Sequence, residues 1–161
     1  ENVMIRDIRR NGAQPKDTMH KAEVAMVTGM GVVIKDASTV KLPAAETASN
    51  IYVATQERVP HGVNAARTDM SDYDEDFVNI KKGDFLGLEN YTDGEKFATD
   101  QFKAEDFESV SDGMAVSVGT DGKWQKATAT VASKYVYEKD FADNGHKLII
   151  IRVEKDAVKN S

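Results

Sequence analysis

The stretch of the chain that decides its fold is residues 21–42, which read KAEVAMVTGMGVVIKDASTVKL. Three short runs rich in valine and other apolar residues lie at 22–27, 31–35 and 40–42. A Thr-Gly pair separates the first two runs, and the polar residues 36–38 separate the last two. Short β-type runs bounded by turn residues are typical of a β-barrel or a β-sandwich.

The same rhythm continues on both sides of residues 61–76, which are rich in Asp and Glu and lack apolar periodicity. A segment of that composition predicts a long exposed loop. Around it the pattern predicts further strands near 50–59, 77–80, 85–88, 114–118, 124–131, 134–138 and 147–153.

Turn residues and one acidic segment complete the prediction of the fold. Asp121-Gly122 between two alternating runs is a strong hairpin signal. The segment that holds Phe97, Phe102 and Phe107 is rich in Asp and Glu and is the only helical candidate. The sequence therefore predicts a mainly β fold, a small barrel or sandwich of short antiparallel strands with an extended N-terminal arm and at most one short helix.

The two ends of the chain differ in composition from the middle. Residues 1–20 intersperse apolar residues with Arg and Asp and then contain Asn-Gly and Pro, which predicts an extended arm. A first strand followed by a loop is the alternative for this segment. We assign residues 21–155 to a single β-rich domain, with two β-rich halves joined by the acidic loop 61–76 as a variant, and residues 156–161 to a frayed tail.

The composition narrows the function classes. A chain of 161 residues has the size of one domain. Its net charge of -6 opposes nonspecific binding to nucleic acid, which depends on Lys and Arg. No apolar run approaches the roughly 20 residues of a membrane-spanning helix. Residues 1–20 lack the apolar stretch of a secretory signal, although a leader removed before Glu1 would leave no trace.

Patterns that could carry catalysis or cofactor binding are incomplete. The chain has no cysteine, which excludes disulfides, thiolate metal sites and cysteine nucleophiles. Asp72, Asp74 and Asp76 alternate like the start of a calcium loop, but the Gly and Glu that such a loop needs further on are missing. The Gly-Met-Gly at 29–31 precedes a strand, which favours a tight turn over a dinucleotide site. We therefore predict no enzyme, no cofactor and no metal site.

Three aromatic residues suggest a different class of function. Trp124, Tyr135 and Tyr137 could form a stacking platform for a sugar, although a single Trp in a strand is more often a core residue. The Asn-Tyr-Thr sequon at 90–92 matters only in a eukaryotic secretory setting, and we interpret it as chance.

Several runs of the sequence resemble the small β-rich decoration proteins of tailed-phage heads: EVAMVTGMGVVI (23–34), VKLP (40–43), NIYVA (50–54), KGDFLGL (82–88) and GMAVSVG (113–119). The resemblance covers roughly residues 21–127. It consists of the succession of strand, glycine turn and strand.

This resemblance implies a structural virion protein that docks on the outside of a phage capsid. Such a protein sits at symmetry axes or subunit junctions and stabilises the shell by bridging capsid subunits. The implied partner is the major capsid protein of the same virion, and the implied assembly is a homo-oligomer, with a trimer favoured. No direct contact with nucleic acid or membrane is expected.

The N-terminal segment is where we predict contacts with that partner. An extended arm can add a strand to an exposed sheet edge of a neighbour, and its arginines can contact acidic capsid groups. The predicted partner-binding residues are Val3, Ile5, Arg6, Ile8, Arg9 and Arg10. Two alternatives are a phage tail-tube or head-tail joining subunit and a carbohydrate or cell-surface binding β module.

Overall fold

The computed structural model describes residues 5–10, 17–56, 79–143 and 145–161. These residues form mostly short strands, two long strands of 11 and 13 residues near the C-terminus, and one four-residue helix, so the predicted mainly β fold with at most one short helix is confirmed. The elements are β1 (Ile5–Arg9), β2 (Asp17–Ala22), β3 (Met26–Val27), β4 (Gly31–Ile34), β5 (Thr39–Lys41), β6 (Tyr52–Gln56), β7 (Asn79–Ile80), β8 (Phe85–Glu89), β9 (Lys96–Thr99), α1 (Ala104–Phe107), β10 (Val116–Val118), β11 (Trp124–Lys126), β12 (Ser133–Asp143) and β13 (His146–Val158).

Five strands close into a small barrel in the order β2-β5-β4-β6-β8. Neighbouring strands are antiparallel except β2 and β5, which pair in parallel. Closure gives every strand two neighbours, which removes free sheet edges. The buried cluster of the barrel strands is aliphatic and also takes in Met26 and Ile80 of the small β3–β7 sheet. Its members are Ala22, Met26, Val32, Val40, Ala54, Ile80, Leu86 and Leu88.

A second unit is built on a four-stranded antiparallel sheet in the order β1-β9-β13-β12. The β10–β11 hairpin lies beside it, and the backbone of Ala115 bridges to Val136 of β12. The core between these elements combines aliphatic side chains with six aromatic rings. Its rings are Tyr91, Phe97, Phe107, Trp124, Tyr135 and Tyr137. The ring centroids of Phe97 and Trp124 are 5.5 Å apart, and those of Trp124 and Tyr135 are 5.3 Å apart.

The glycine turn between β3 and β4 joins the two units. Gly29 adopts a φ of 97°, and its carbonyl accepts hydrogen bonds from the Trp124 indole N–H at 3.3 Å and the Thr99 hydroxyl at 3.1 Å. At Gly31 a Cβ atom would lie 2.4 Å from a methyl group of Val118. The interpretation of residues 29–31 as a tight turn is therefore confirmed, and the close approach of β10 explains why the second glycine has no side chain.

The strands before and after the predicted acidic loop are interleaved. β8 lies after residues 61–76, yet it closes the barrel formed by earlier strands. β1 lies before those residues, yet it pairs with β9 of the second unit. The two β-rich halves of the sequence are thus not two separate structural halves. The loop 61–76 itself lies outside the described residues.

Two local expectations differ from the structure. Phe97 belongs to strand β9, and only Phe107 of the three phenylalanines lies in α1, because β9 is a buried strand whose acidic neighbours hide its pattern. At the C-terminus, where a frayed tail was expected over 156–161, β13 continues to Val158. The Asn160 side chain then exchanges hydrogen bonds with both backbone groups of Ala115, at 2.8 and 2.9 Å.

The N-terminal segment also contains regular structure. Residues 5–9 form β1, as in the alternative of a first strand followed by a loop, and β2 begins at Asp17, inside the predicted arm of residues 1–20. Within the described ranges, no helix is long and apolar enough to cross a bilayer.

Candidate functional site

Strand β1 lies at one edge of the four-stranded sheet. It pairs with β9 through Ile5 opposite Thr99 and Asp7 opposite Phe97, with a shift in register between Asp7 and Arg9. Within the part of the chain that the structure describes, the other side of β1 has no neighbouring strand. An edge of this kind presents backbone N–H and C=O groups that a strand of another chain can pair with.

The inner side of β1 is anchored in the protein. Ile5 packs against the aromatic core. The Arg10 guanidinium lies 4.3 Å from the centroid of the Tyr91 ring, and its Nε is 2.9 Å from a carboxylate oxygen of Glu95. Glu95 has no exposed surface, so this ion pair is desolvated on its acidic side. Without Arg10 the buried Glu95 carboxylate would keep its hydrogen bonds from the Thr92 amide and hydroxyl but lose this ion pair, so the ion pair fixes the end of β1 to the sheet.

Tyr91 adds a second tie to β1. Its hydroxyl hydrogen-bonds to the carboxylate of Asp7 and lies 2.9 Å from a carboxylate oxygen of Glu89. Burial, reinforced by the hydrogen bond to Asp7, raises the pKa of Tyr91 well above its ordinary value. The phenol therefore remains protonated and acts as a hydrogen-bond donor, so we assign it a structural role in holding β1.

The predicted partner-binding residues divide into two groups in the structure. Ile5 and Arg10 make the internal contacts described above. Ile8 is 39% exposed and Arg9 is exposed, so both side chains are accessible to a partner. Arg6 lies in β1 opposite Ala98, but its side chain lies outside the described part, as does the whole of Val3.

The aromatic residues that could have formed a sugar-stacking platform are buried. Trp124 has no exposed surface, and Tyr135 and Tyr137 are each 8% exposed. The Tyr135 hydroxyl is 3.3 Å from the backbone oxygen of Ile51, and burial raises its pKa to about 12. These three residues are core residues, as the alternative interpretation of Trp124 expected, and they offer no stacking surface.

An open groove of about 680 Å³ lies beside Tyr91 and Tyr135. Its rim includes Asp93 and Lys134, whose charged atoms are 3.7 Å apart, and both side chains are about half exposed. An exposed pair at this distance contributes little energy and gives a ligand no desolvated charge. The groove walls are mostly small residues such as Ala48, Ser49 and Ala132.

Metal binding has no support in the described residues. They contain no group of three or more His, Asp or Glu side chains arranged to hold a metal ion. The alternating Asp72, Asp74 and Asp76 lie outside the described ranges.

The residues that anchor β1 were not identifiable from the sequence. Tyr91 contacts Asp7 across 84 positions, and Arg10 contacts Glu95 at a similar separation. Tyr91 lies within a turn sequence, and nothing in that local sequence indicates that its side chain is buried or which residues it contacts. The only available signal was Glu95, an acidic residue directly before the buried strand β9, but such residues also occur at exposed strand ends.

The fold and site together define a β protein in which an aliphatic barrel is joined to a sheet whose first strand is an anchored edge strand. The chain matches no protein-family model, no curated protein and no solved structure.

Proposed function

We propose that this protein is a structural virion protein that docks on the outside of a tailed-phage capsid and stabilises the shell by bridging capsid subunits. Its partner is the major capsid protein of the same virion, and it acts at the capsid surface as a homo-oligomer, with a trimer favoured. The resemblance of its strand and glycine-turn pattern to head decoration proteins supports the class. The edge strand β1 supplies a surface for the contact.

The observation that supports the proposal most directly is that β1 is anchored on one side and accessible on the other. Because Ile5 and Arg10 hold the strand before a partner arrives, less conformational entropy is lost on binding. The accessible edge then provides backbone hydrogen bonds for an added strand, next to the exposed Ile8 and Arg9.

The composition of β1 restricts which partner can pair with it. The register shift between Asp7 and Arg9 and the charged side chains of this strand are devices that keep edge strands from pairing indiscriminately. The exposed charges among the described side chains of β1 are Arg9 and Asp7, and Asp7 is held by the Tyr91 hydroxyl, so we propose that the shell contributes an acidic group opposite Arg9.

The test is uptake onto empty capsids assembled from the shell protein of a tailed phage, measured by sedimentation and light scattering. The wild-type protein is expected to bind in stoichiometric amounts. The double variant Ile8→Ser, Arg9→Ser removes the accessible contacts of β1 and is expected to weaken uptake by about tenfold or more. The matched control Val158→Ser, Lys155→Ser changes exposed residues of β13 and is expected to bind like the wild type.

Deleting residues 1–14 is a weaker test, because that change also removes the contacts of Ile5 and Arg10 within the protein. A wild-type monomer that does not bind the capsids would contradict the proposed function. Rings formed by the isolated protein would instead favour the tail-tube or head-tail joining subunit.

A further inference from the structure

A second accessible surface lies on the barrel, a different unit from the sheet that contains β1. We call it the Phe85 patch and define it as Met19, Lys21, Lys81, Lys82 and Phe85. Met19 is 73% exposed and Phe85 is 53% exposed, the two highest values among the large apolar side chains of the described residues. Apolar side chains this exposed in the middle of a charged surface often mark contacts with another protein.

The backbone brings Lys21, Phe85 and the turn of Lys81 and Lys82 together from separate parts of the chain, and Met19 lies two residues before Lys21 on β2. Lys21 of β2 lies opposite Phe85 of β8, and its ammonium group is 4.9 Å from the centroid of the Phe85 ring. The turn that carries Lys81 and Lys82 is held against β2, because the Gly83 amide donates to the Ala22 carbonyl at 2.8 Å. The patch is thus part of the closed barrel and has a defined backbone.

The charge of the patch is opposite to that of the whole protein. Its three lysines are exposed, and none forms an ion pair with a carboxylate within the described ranges. The nearest carboxylate in the turn, that of Asp84, lies 3.3 Å from the backbone N–H of Lys81 and accepts a hydrogen bond from it. A basic, apolar surface on a chain of net charge -6 complements a partner that is acidic and partly apolar.

The lysines of the Phe85 patch disfavour a symmetric contact between two copies of this chain. A two-fold interface places a surface against its own copy, so the three lysines of one copy would lie close to those of the other, with only the Asp84 carboxylate of the turn to offset them. Like charges that face each other across an interface cost several kcal/mol. A different molecule with acidic groups is therefore the better occupant.

We propose that the Phe85 patch is a second docking surface, which takes an acidic, partly apolar segment of a capsid shell subunit. This inference rests on the proposed function, and it supplies what bridging requires, namely two separate contact surfaces. β1 lies on the four-stranded sheet and the patch lies on the barrel, so the two surfaces can engage different shell subunits.

The first experiment measures uptake onto the empty capsids with charge-reversal variants. The triple variant Lys21→Glu, Lys81→Glu, Lys82→Glu is expected to weaken uptake by about tenfold or more, and Phe85→Ser by about threefold to tenfold. The control triple Lys139→Glu, Lys155→Glu, Lys159→Glu reverses three exposed lysines elsewhere and changes the net charge equally. Equal loss in both triples would overturn the patch, because net charge alone would then explain the effect. Circular dichroism and the thermal midpoint of each variant verify that it is folded.

A second experiment tests the patch without capsids. The probe is a soluble peptide in which glutamates alternate with leucine and phenylalanine, added to isotope-labelled protein at low salt. The expected result is a set of amide chemical-shift changes confined to residues around 19–22 and 81–86, which disappears in the patch triple and persists in the control triple.

The two experiments distinguish the two proposals. Peptide shifts at the patch without capsid uptake would contradict the proposed function and support the patch as an acidic-segment site. Peptide shifts spread over the surface, or none, would overturn the patch even if capsids are bound. A rise in solution mass that the patch triple abolishes would assign the surface to a second copy of this chain and would also overturn the proposal.

Discussion

The barrel and the four-stranded sheet are held together in different ways. In the barrel every strand has two neighbours, and a narrow interior of aliphatic side chains fills the space. The sheet is open, with β1 and β12 as its edge strands, and it is held by a core of aliphatic and aromatic side chains and by the buried ion pair of Arg10 and Glu95. In the closed barrel the backbone N–H and C=O groups of every strand can pair with two neighbouring strands. The edge strand β1 pairs on one side only within the described residues, and side-chain contacts such as the Arg10–Glu95 ion pair hold it in place. The open sheet can accept another strand, and the closed barrel can bind only through side chains on its outer surface.

The largest expected effect comes from the aromatic core. Trp124→Ala removes a side chain with no exposed surface and its hydrogen bond to Gly29, and we expect a loss of about 4 kcal/mol in the free energy of unfolding. Leu86→Ala in the barrel is expected to cost less, about 3 kcal/mol. Urea denaturation monitored by far-UV circular dichroism measures the unfolding free energy of both variants, since this signal does not require the tryptophan. A larger loss for Leu86→Ala would show that the barrel, and not the aromatic core, dominates stability.

The next effect concerns the anchoring of β1. Glu95→Ala leaves the Arg10 guanidinium without its buried partner, and we expect a loss of about 3 kcal/mol in unfolding free energy. Hydrogen exchange at the amides of β1 is expected to accelerate more than exchange in the barrel strands. The double variant Arg10→Ala, Glu95→Ala is expected to cost less than the sum of the single variants. Strict additivity would argue against coupling between these two groups.

A smaller effect tests the junction of the two units. In Gly31→Ala the new Cβ would lie 2.4 Å from a methyl group of Val118, which is a stiff β-branched side chain. We expect a loss of about 2 kcal/mol from overpacking. Gly119→Ala is the control, because its Cβ would meet only the ends of the Gln125 and Asp121 side chains, of which the nearest is the flexible end of Gln125. A similar thermal midpoint for the two variants would contradict the close packing of the barrel on the sheet.

The smallest effect is a dependence on pH at Glu46. Burial alone would raise its pKa, but hydrogen bonds from the Ser117 hydroxyl and from the amide and hydroxyl of Thr128 outweigh it and lower the pKa below 4.5. Because the pKa of Glu46 is lower in the folded protein than in the unfolded chain, its ionised carboxylate stabilises the fold at pH values above the unfolded pKa. This contribution is lost as the pH falls through the folded pKa.

The measurement for Glu46 is unfolding free energy between pH 6 and the acid range, in urea. Glu46→Gln is expected to lose part of the stability of the wild type at pH 6 and to approach it at low pH. A difference between the two proteins that grows as the pH falls would have the opposite sign to this prediction.

The features that could be predicted from the sequence are those determined by residues close together along the chain. The turns at Gly29 and Gly122 were identifiable because glycine adopts positive φ without strain, which is a local property. The edge position of β1 and its ties to Tyr91 and Glu95 were not identifiable. These contacts join residues about 84 positions apart, and no local pattern records which strand lies beside which.

The sequence by itself therefore determined the mainly β class, the short strands and the glycine turns, since alternation and turn chemistry act within a few residues. The tertiary structure alone decided that β8 closes the barrel, that β1 forms the sheet edge, and that Phe85 stays exposed while Trp124 is buried. The physical reason is that strand pairing and burial depend on long-range packing. An apolar residue in a strand has the same local pattern whether its face meets a core or a partner.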